Sequence, residues 1–288
     1  MNNRICDLCP NDCKVDRATK NGLCGTADTL RIAKYYLHPF EEPLISGTKG
    51  SGTVFFCGCS LKCVFCQNYE LSRNERGKNI TVKELADIFR ELEDLGAHNI
   101  NLVNPTHYSD KIIQAFNLYK PKIPIVYNTH GYEKLEIIEK LNEYVDIYLP
   151  DMKFFSPTLS KRYTGKENYF EKAQKAIRFM VDSKPFIIGD DGLLKSGVIV
   201  RHLVLPLGVA DSKKILEWFC SIKEKAYINV MSQYTPFGNI SNFKELQRPI
   251  TKREYDSVID YAITLKIKNM YYQKQISADQ KYIPSWDF

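Results

Sequence analysis

The stretch "GTVFFCGCSLKCVFCQN", residues 52–68, joins a short apolar run to four cysteines within ten positions. "GTVFF" (52–56) is β-branched and aromatic and reads as a strand. Cys59, Cys63 and Cys66 follow it directly as C-x3-C-x2-C. In parallel β/α folds chemistry collects at the C-terminal ends of strands, so the place of this loop already marks it as a candidate site. Three thiolates with no nearby His fall short of the four ligands of a closed zinc site. They suit a 4Fe-4S cubane, which three thiolates hold while one iron stays open to a non-protein ligand, and which passes an electron to whatever binds there. A zinc knuckle or incidental thiols is the bland alternative. Cys57 stands too close to Cys59 to share one cubane comfortably and reads as a small apolar core residue.

Outward from that loop, strand-like and helix-like segments alternate. "TVKELADIFRELEDLG" (81–96) is a helix with a Thr81/Glu84 capping box, an apolar face of Val82, Leu85, Phe89 and Leu92, and Gly96 at its end. Strands are expected at 99–103, 123–128, 145–150, 198–205, 228–234 and 269–274. Helices are expected at 109–119, 132–142, 167–182, 211–225 and 251–265. A Gly-Asp-Asp-Gly turn precedes the fifth strand. Strands joined through helices run parallel, and apolar strands of this kind are buried on both faces. The expected fold is therefore α/β: a full or partial parallel (β/α) barrel of about six strands, with a doubly wound open sheet as runner-up.

The first 45 residues differ in kind, with Cys6, Cys9, Cys13 and Cys24 and little periodicity. We divide the chain into a Cys-rich segment, 1–45, and a barrel domain, 46–288. Four thiolates satisfy a tetrahedral zinc ion or an auxiliary Fe-S cluster equally. Either would staple a segment too poor in apolar residues to fold alone. Cys220, among apolar neighbours on a helix, reads as core. Nine cysteines, an odd number, argue against a closed disulfide framework. The N-terminus has no apolar segment of the signal-peptide kind, and no apolar run reaches 18 residues, so a reducing cytoplasm and no membrane partner are expected. Lys and Arg exceed Asp and Glu by only 6, without a basic run, which makes a nucleic-acid partner unlikely on charge grounds.

C-x3-C-x-aromatic-C, here Cys59, Cys63, Phe65 and Cys66, resembles the signature of the radical S-adenosylmethionine (SAM) superfamily. Residues 4–273 resemble a subfamily named as homologues of pyruvate formate-lyase activating enzyme, through "ICDLCPNDC", "EEPLISGTKGSGTVFF", "GAHNINLVNPTHY", "IVYNTHGYE", "VDIYLPDMK", "VIVRHLVLP" and "MSQY". The resemblance implies a 4Fe-4S cluster on Cys59, Cys63 and Cys66, with SAM chelating the fourth iron. It implies reductive cleavage of SAM to methionine and a 5′-deoxyadenosyl radical that abstracts hydrogen. A flavodoxin or ferredoxin would supply the electron. Asn68, in Cys66-Gln67-Asn68, resembles the Asn of the Cys-His-Asn in glycyl-radical activating enzymes.

The remaining candidate residues lie at later strand ends. Relatives often carry Gly-Gly-Glu after the second strand; this chain has Asn104-Pro105-Thr106-His107, so Asn104 and Thr106 are the candidate acceptors for the SAM amino group. Asn128 and Thr129 follow the third strand as candidate ribose contacts. Asp151 and Lys153 in "LPDMK" resemble an Asp-x-Lys near SAM. Of the Arg201-His202 pair on the fifth strand, His202 is the closer positional match to a SAM-contacting residue. Gln233-Tyr234 follows the sixth. The implied activity is hydrogen abstraction, with activation of a partner protein by a glycyl radical as the nearest functional guess. Modification of a small molecule, peptide or RNA, and a non-catalytic metal-binding module, are the alternatives. The module reading needs neither the thiol triad nor the polar strand ends.

Overall fold

A computed structural model describes residues 5–74 and 76–272. In chain order its elements are β1 (Leu30–His38), α1 (Pro43–Ser46), β2 (Ser51–Phe56), α2 (Tyr69–Ser72), β3 (Lys78–Ile80), α3 (Val82–Asp94), β4 (Ile100–Val103), α4 (Ser109–Leu118), β5 (Ile125–Thr129), α5 (Leu135–Leu141), β6 (Ile147–Pro150), α6 (Pro157–Thr164), α7 (Tyr169–Ser183), β7 (Ile187–Ile188), β8 (Leu194–Leu203), α8 (Val209–Phe219), β9 (Tyr227–Met231), α9 (Lys252–Thr264) and β10 (Met270–Tyr272).

One sheet runs β10-β9-β8-β6-β5-β4-β2-β1-β3. The pairs from β2 to β10 are all parallel, while β1 and β3 add antiparallel strands beyond β2. The sheet is open between β10 and β3, so the fold is a partial barrel. Residues 273–274 of the expected last strand lie outside the described residues, as does everything after them in the 46–288 span.

Each parallel strand is covered by helices, which is why every residue of β2, β5 and β6 is buried. Helix α3 has the expected capping box: Thr81 Oγ1 accepts from the Glu84 amide at 3.1 Å, and the Thr81 amide donates to Glu84 Oε2 at 2.6 Å. Its apolar face meets α4 through Phe89 stacked on Phe116 at 5.1 Å. Several elements differ from the sequence expectation, among them the short α1, α2, β3 and β7. β1, within the first 45 residues, pairs with β2 along its length. β8 starts at Leu194 because the turn at 189–192 folds β7 back onto it. Helix α6, with Ser156 as N-cap and Gly165 at its C-cap, was not expected.

What positions the site is the register at the strand ends. The Asn104 amide donates to Asn128 O at 2.8 Å, the Asp151 amide to Thr129 O at 2.8 Å, the Met152 amide to Arg201 O at 2.8 Å, and the Val204 amide to Met231 O at 3.0 Å. These bonds carry the ladder just past the regular strands, so the first polar residues after each strand stand in one row.

Candidate active site

A cavity of about 290 Å³ opens at these strand ends, and Cys59, Cys63 and Cys66 all line it. The loop that carries them is pinned at several points. Phe65 packs edge-on against Phe154, Tyr163 and Tyr234 at 6.0–6.1 Å. The Val64 amide donates to Tyr163 O at 3.0 Å. His130 Nδ1 accepts from the Tyr132 amide at 3.1 Å, which leaves Nε2–H to donate to Ser60 Oγ at 2.7 Å. Burial drives the His130 pKa down to about 3, so it does this as the neutral ring.

The Leu61 and Lys62 amides point at Cys59 Sγ from 3.4 and 3.5 Å, the arrangement that steadies a thiolate sulfur. Burial pushes the Cys59 thiol up to about 11 and raises Cys63 and Cys66 as well. Free thiols here hold their protons at neutral pH; a bound cation would displace them. Among the described residues no three His, Cys, Asp or Glu side chains converge on one ion position. The thiolates of a cubane each take a different iron, so they stand wider apart than the ligands of one ion. The donor set of this loop fits a cubane. Cys57 faces the other way: it packs with Ala33, Phe55 and Leu71, and its Sγ donates to Arg76 O at 3.0 Å.

Opposite the thiols lies a charged floor drawn from five segments. Arg201 reaches Asp151 Oδ1 with Nε at 2.9 Å, Asn128 Oδ1 with Nη2 at 2.7 Å and Glu41 Oε1 with Nη1 at 3.1 Å. Lys153 Nζ holds Asp151 Oδ2 at 2.6 Å, and Asn101 donates to Glu41 Oε2 at 2.6 Å. The four charged side chains keep between 10% and 19% exposure, and all four line the cavity. Burial opposes ionisation of Asp151, but Arg201 and Lys153 beside it hold its carboxyl below the usual range. The floor is a fixed set of donors and acceptors with both signs of charge, suited to a zwitterionic ligand.

The candidates from sequence divide accordingly. Asn68, Asn104, Asn128, Thr129, Asp151, Lys153 and Gln233 line the cavity with the three thiols. Asn104 donates to Gly58 O at 2.5 Å and keeps its Oδ1 buried without a partner, an acceptor suited to a ligand amine. Thr106 does not reach the cavity: it is fully buried and donates to Glu133 Oε1 at 2.6 Å. His202 does not reach it either. Its nitrogens contact Met152 O at 2.8 Å and Ser212 Oγ at 2.9 Å, and burial lowers its pKa to about 4. On that strand Arg201, not His202, lines the cavity. Tyr234 lies in the core, and its hydroxyl donates to Leu246 O. Glu41 and His130 were not singled out, and Arg201 was named only as half of a pair in which His202 was preferred. A buried charge in an apolar strand needs a partner, and that signal at Arg201 pointed to an unpaired carboxylate elsewhere.

Glu133 gives a prediction independent of any ligand. It is 1% exposed, accepts from Thr106 and Thr129, and burial raises its pKa to about 7. The folded chain thus keeps a proton that the unfolded chain releases near its ordinary value of 4.5. Stability contributed below that value is lost as pH rises to about 7, by up to about 3 kcal/mol. Glu42, also raised to about 7, acts in the same window. Urea unfolding at pH 5 and pH 7.5 will show the wild type weaker at the higher pH, and Glu133→Gln will shrink that difference. An unchanged difference would contradict this account.

The structure thus brings together, in a partial parallel barrel, three thiols on the first strand-end loop, two of them buried and one half-buried, and a charged floor that lines the same cavity. The radical SAM superfamily model matches residues 53–193. An uncharacterised protein of Methanocaldococcus jannaschii is 30% identical over 267 residues, 89% of this chain and 74% of the relative. The chain belongs to the radical SAM superfamily. A protein of the same organism, named provisionally as a glycyl-radical enzyme activating enzyme, is 32% identical over 110 residues, 36% of this chain and 44% of that protein. Two solved structures share the fold. Methylornithine synthase has a TM-score of 0.51 and 15% identity, over 77% of this chain and 70% of that one. The [FeFe]-hydrogenase maturase HydG has a TM-score of 0.54 and 14% identity, over 74% and 49%. The protein is thus a radical SAM enzyme, and its family carries a 4Fe-4S cluster and SAM. Among the described residues no helix is long and apolar enough to cross a membrane.

Proposed function

We propose that Cys59, Cys63 and Cys66 hold the 4Fe-4S cluster and that SAM lies between them and the floor of Glu41, Asn128, Asp151, Lys153 and Arg201. When bound, the cluster supplies the electron for reductive cleavage of SAM, and with it the hydrogen-abstracting chemistry of the family. The observation that carries the reading is the one cavity that the three thiols share with a mixed-charge floor.

The chain's residues have separable tasks. Asn104 Oδ1 accepts from the SAM amino group. Lys153 and Arg201 face its carboxylate, while Asn128 and Thr129 take ribose hydroxyls. Asn68 flanks the third thiol. His130 holds the thiol loop through Ser60. Phe65 and its aromatic neighbours keep water from the inner side of the loop. Cys6, Cys9, Cys13 and Cys24 are proposed as a second metal site, for zinc or an auxiliary Fe-S cluster.

The substrate we propose is a partner protein that receives a glycyl radical, with a flavodoxin or ferredoxin as reductant. The resemblance to activating enzymes supports this, as does the partial match to the provisionally named activase. Radical modification of a small molecule, peptide or RNA is the second reading. The test uses the anaerobically reconstituted, reduced chain with SAM, alone and with a glycyl-radical-type partner. 5′-Deoxyadenosine is expected in both, with a glycine-centred doublet in the electron paramagnetic resonance spectrum of the partner. Product without a doublet would sink the activase reading; no product from a cluster-loaded chain in either mixture would sink the catalytic one.

A further inference from the structure

In residues 5–29, Cys6, Cys9 and Cys24 are buried, while Ile5 and Leu23 are 46% and 56% exposed. Leu8 packs against the main core, but the segment has little aliphatic core of its own to hold it. Its backbone is shaped around the thiols. The Cys6 amide donates to Val15 O at 2.8 Å, the Lys14 amide to Cys6 O at 3.2 Å, and the Asp12 amide to Cys9 O at 3.1 Å. Asp12 and Lys14 accept positive φ angles of 43° and 50° to make this turn. A second turn, in which the Gly22 amide donates to Thr26 O at 2.9 Å, brings Cys24 round. A Cβ on Gly22 would lie 3.2 Å from Cys24 Sγ and 3.6 Å from Cys13 Sγ, so these two thiols face each other over it. All four cysteines are free of disulfides.

Arg17 supplies an independent observation. It is 4% exposed, and its hydrogen bonds all end on uncharged oxygens: His107 O at 2.6 Å, Thr26 Oγ1 at 3.0 Å and Ala27 O at 2.5 Å. A buried guanidinium calls for negative charge nearby, and four thiolates around a divalent ion or cluster would provide it. The same segment is fastened to the catalytic loop. Cys24 O accepts from the Cys59 amide at 3.1 Å. Asn11, between Cys9 and Cys13, donates to Ser60 O at 2.7 Å. Asn74 donates to Gly25 O at 2.8 Å. Gly58, at φ 85°, has no room for a Cβ, which would meet Thr26 and come within 3.0 Å of Cys24 O.

We propose that a thiolate-bound metal on Cys6, Cys9, Cys13 and Cys24 fixes the Cys59–Cys66 loop, so that filling the N-terminal site governs how well the catalytic cluster engages SAM. This rests on the assignment of Cys59, Cys63 and Cys66 made above. Among the described residues no three of these thiols converge on one ion position, and the link to the catalytic loop is the Cys24 carbonyl, which accepts from the Cys59 amide, so a metal held through Cys24 restrains the first residue of the thiol triad.

The test compares wild type, Cys9→Ser and Asn11→Ala, each reconstituted anaerobically with iron, sulfide and zinc. Iron and zinc per chain, amide hydrogen exchange over 57–66, and the resonance spectrum of the reduced cluster titrated with SAM are measured. Cys9→Ser is expected to lose one metal increment, zinc or iron, and to keep the catalytic cluster. Its exchange over 57–66 rises and its SAM affinity falls about tenfold, as for other outer supports of a metal ligand. Asn11→Ala keeps all metal and moves exchange and affinity in the same direction by less. Unchanged metal content in Cys9→Ser overturns the proposal, as does lost metal with wild-type exchange and affinity. If Cys9→Ser fails to fold, Asn11→Ala decides, and wild-type exchange in it ends the proposal. A wild-type chain with no cluster signal would instead remove the catalytic assignment itself.

Discussion

Cys63→Ala protein, reconstituted and reduced in the presence of SAM, will form 5′-deoxyadenosine more than about a hundredfold more slowly than wild type, a barrier increase of at least ~2.7 kcal/mol. The argument is one of supply. Each of three thiolates would hold one iron, and losing one opens a second coordination site on a cluster that is built to have one. No other thiol is placed to replace it. Cys57 is buried on the far side of the loop with its Sγ donating to Arg76 O, and Cys220 caps α8. The N-terminal cysteines are turned toward one another. The fold will survive the change, because Cys63 contributes one sulfur to a large core; an unfolding free energy within about 1 kcal/mol of wild type is expected. That separates loss of the cluster from loss of structure. Product at the wild-type rate from a folded Cys63→Ala chain would refute the thiol assignment.

The central parallel strands β2, β5 and β6 were legible because each is buried throughout and reads as a short apolar run between helical patterns. Helix α3 was legible to its caps because Thr81 and Glu84 form a local unit that needs no tertiary context. β1 was not, because "LRIAKYYLH" is an antiparallel strand near the sheet's edge, with its second half only partly buried and polar residues interspersed. The cavity's thiol side could be read from spacing alone. Its floor could not. Val198, Ile199 and Val200 are all fully buried, so the run carries no alternation to show whether Arg201 or His202 faces inward. Thr106 was misplaced for a related reason. The chain leaves β4 into a short 3₁₀ turn, Thr106–Tyr108, which rotates the hydroxyl onto Glu133 instead of the cavity. Glu41 lies on the connection between β1 and α1, and sequence gives no account of which strand end such a residue will meet.

Arg201→Met tests that floor, and its effects will be large. Arg201 is the one side chain in it that touches Glu41, Asn128 and Asp151 together. Its removal leaves two partly buried carboxylates with Lys153 as the cation on Asp151 and only amides on Glu41. Breaking a buried ion network by taking out one partner costs about 3–5 kcal/mol; the exposure that remains, 17% at Arg201, places the loss toward the lower end. Arg201→Lys keeps the charge but not the planar fork, so it will recover part of the stability and little of the three-way contact. Acid dependence carries the sign of the interaction. Asp151 has its folded pKa depressed, so its contribution is present above the unfolded value and is lost as pH falls through the folded one. Without Arg201 the depression shrinks, so the loss on acidification will be smaller and will be complete at a higher pH than in wild type. The substitution leaves all three thiols in place, so cluster content should stay at the wild-type level while SAM affinity falls. A variant that unfolds at the wild-type urea concentration and binds SAM as wild type does would mean that the floor neither holds the barrel end together nor receives the ligand.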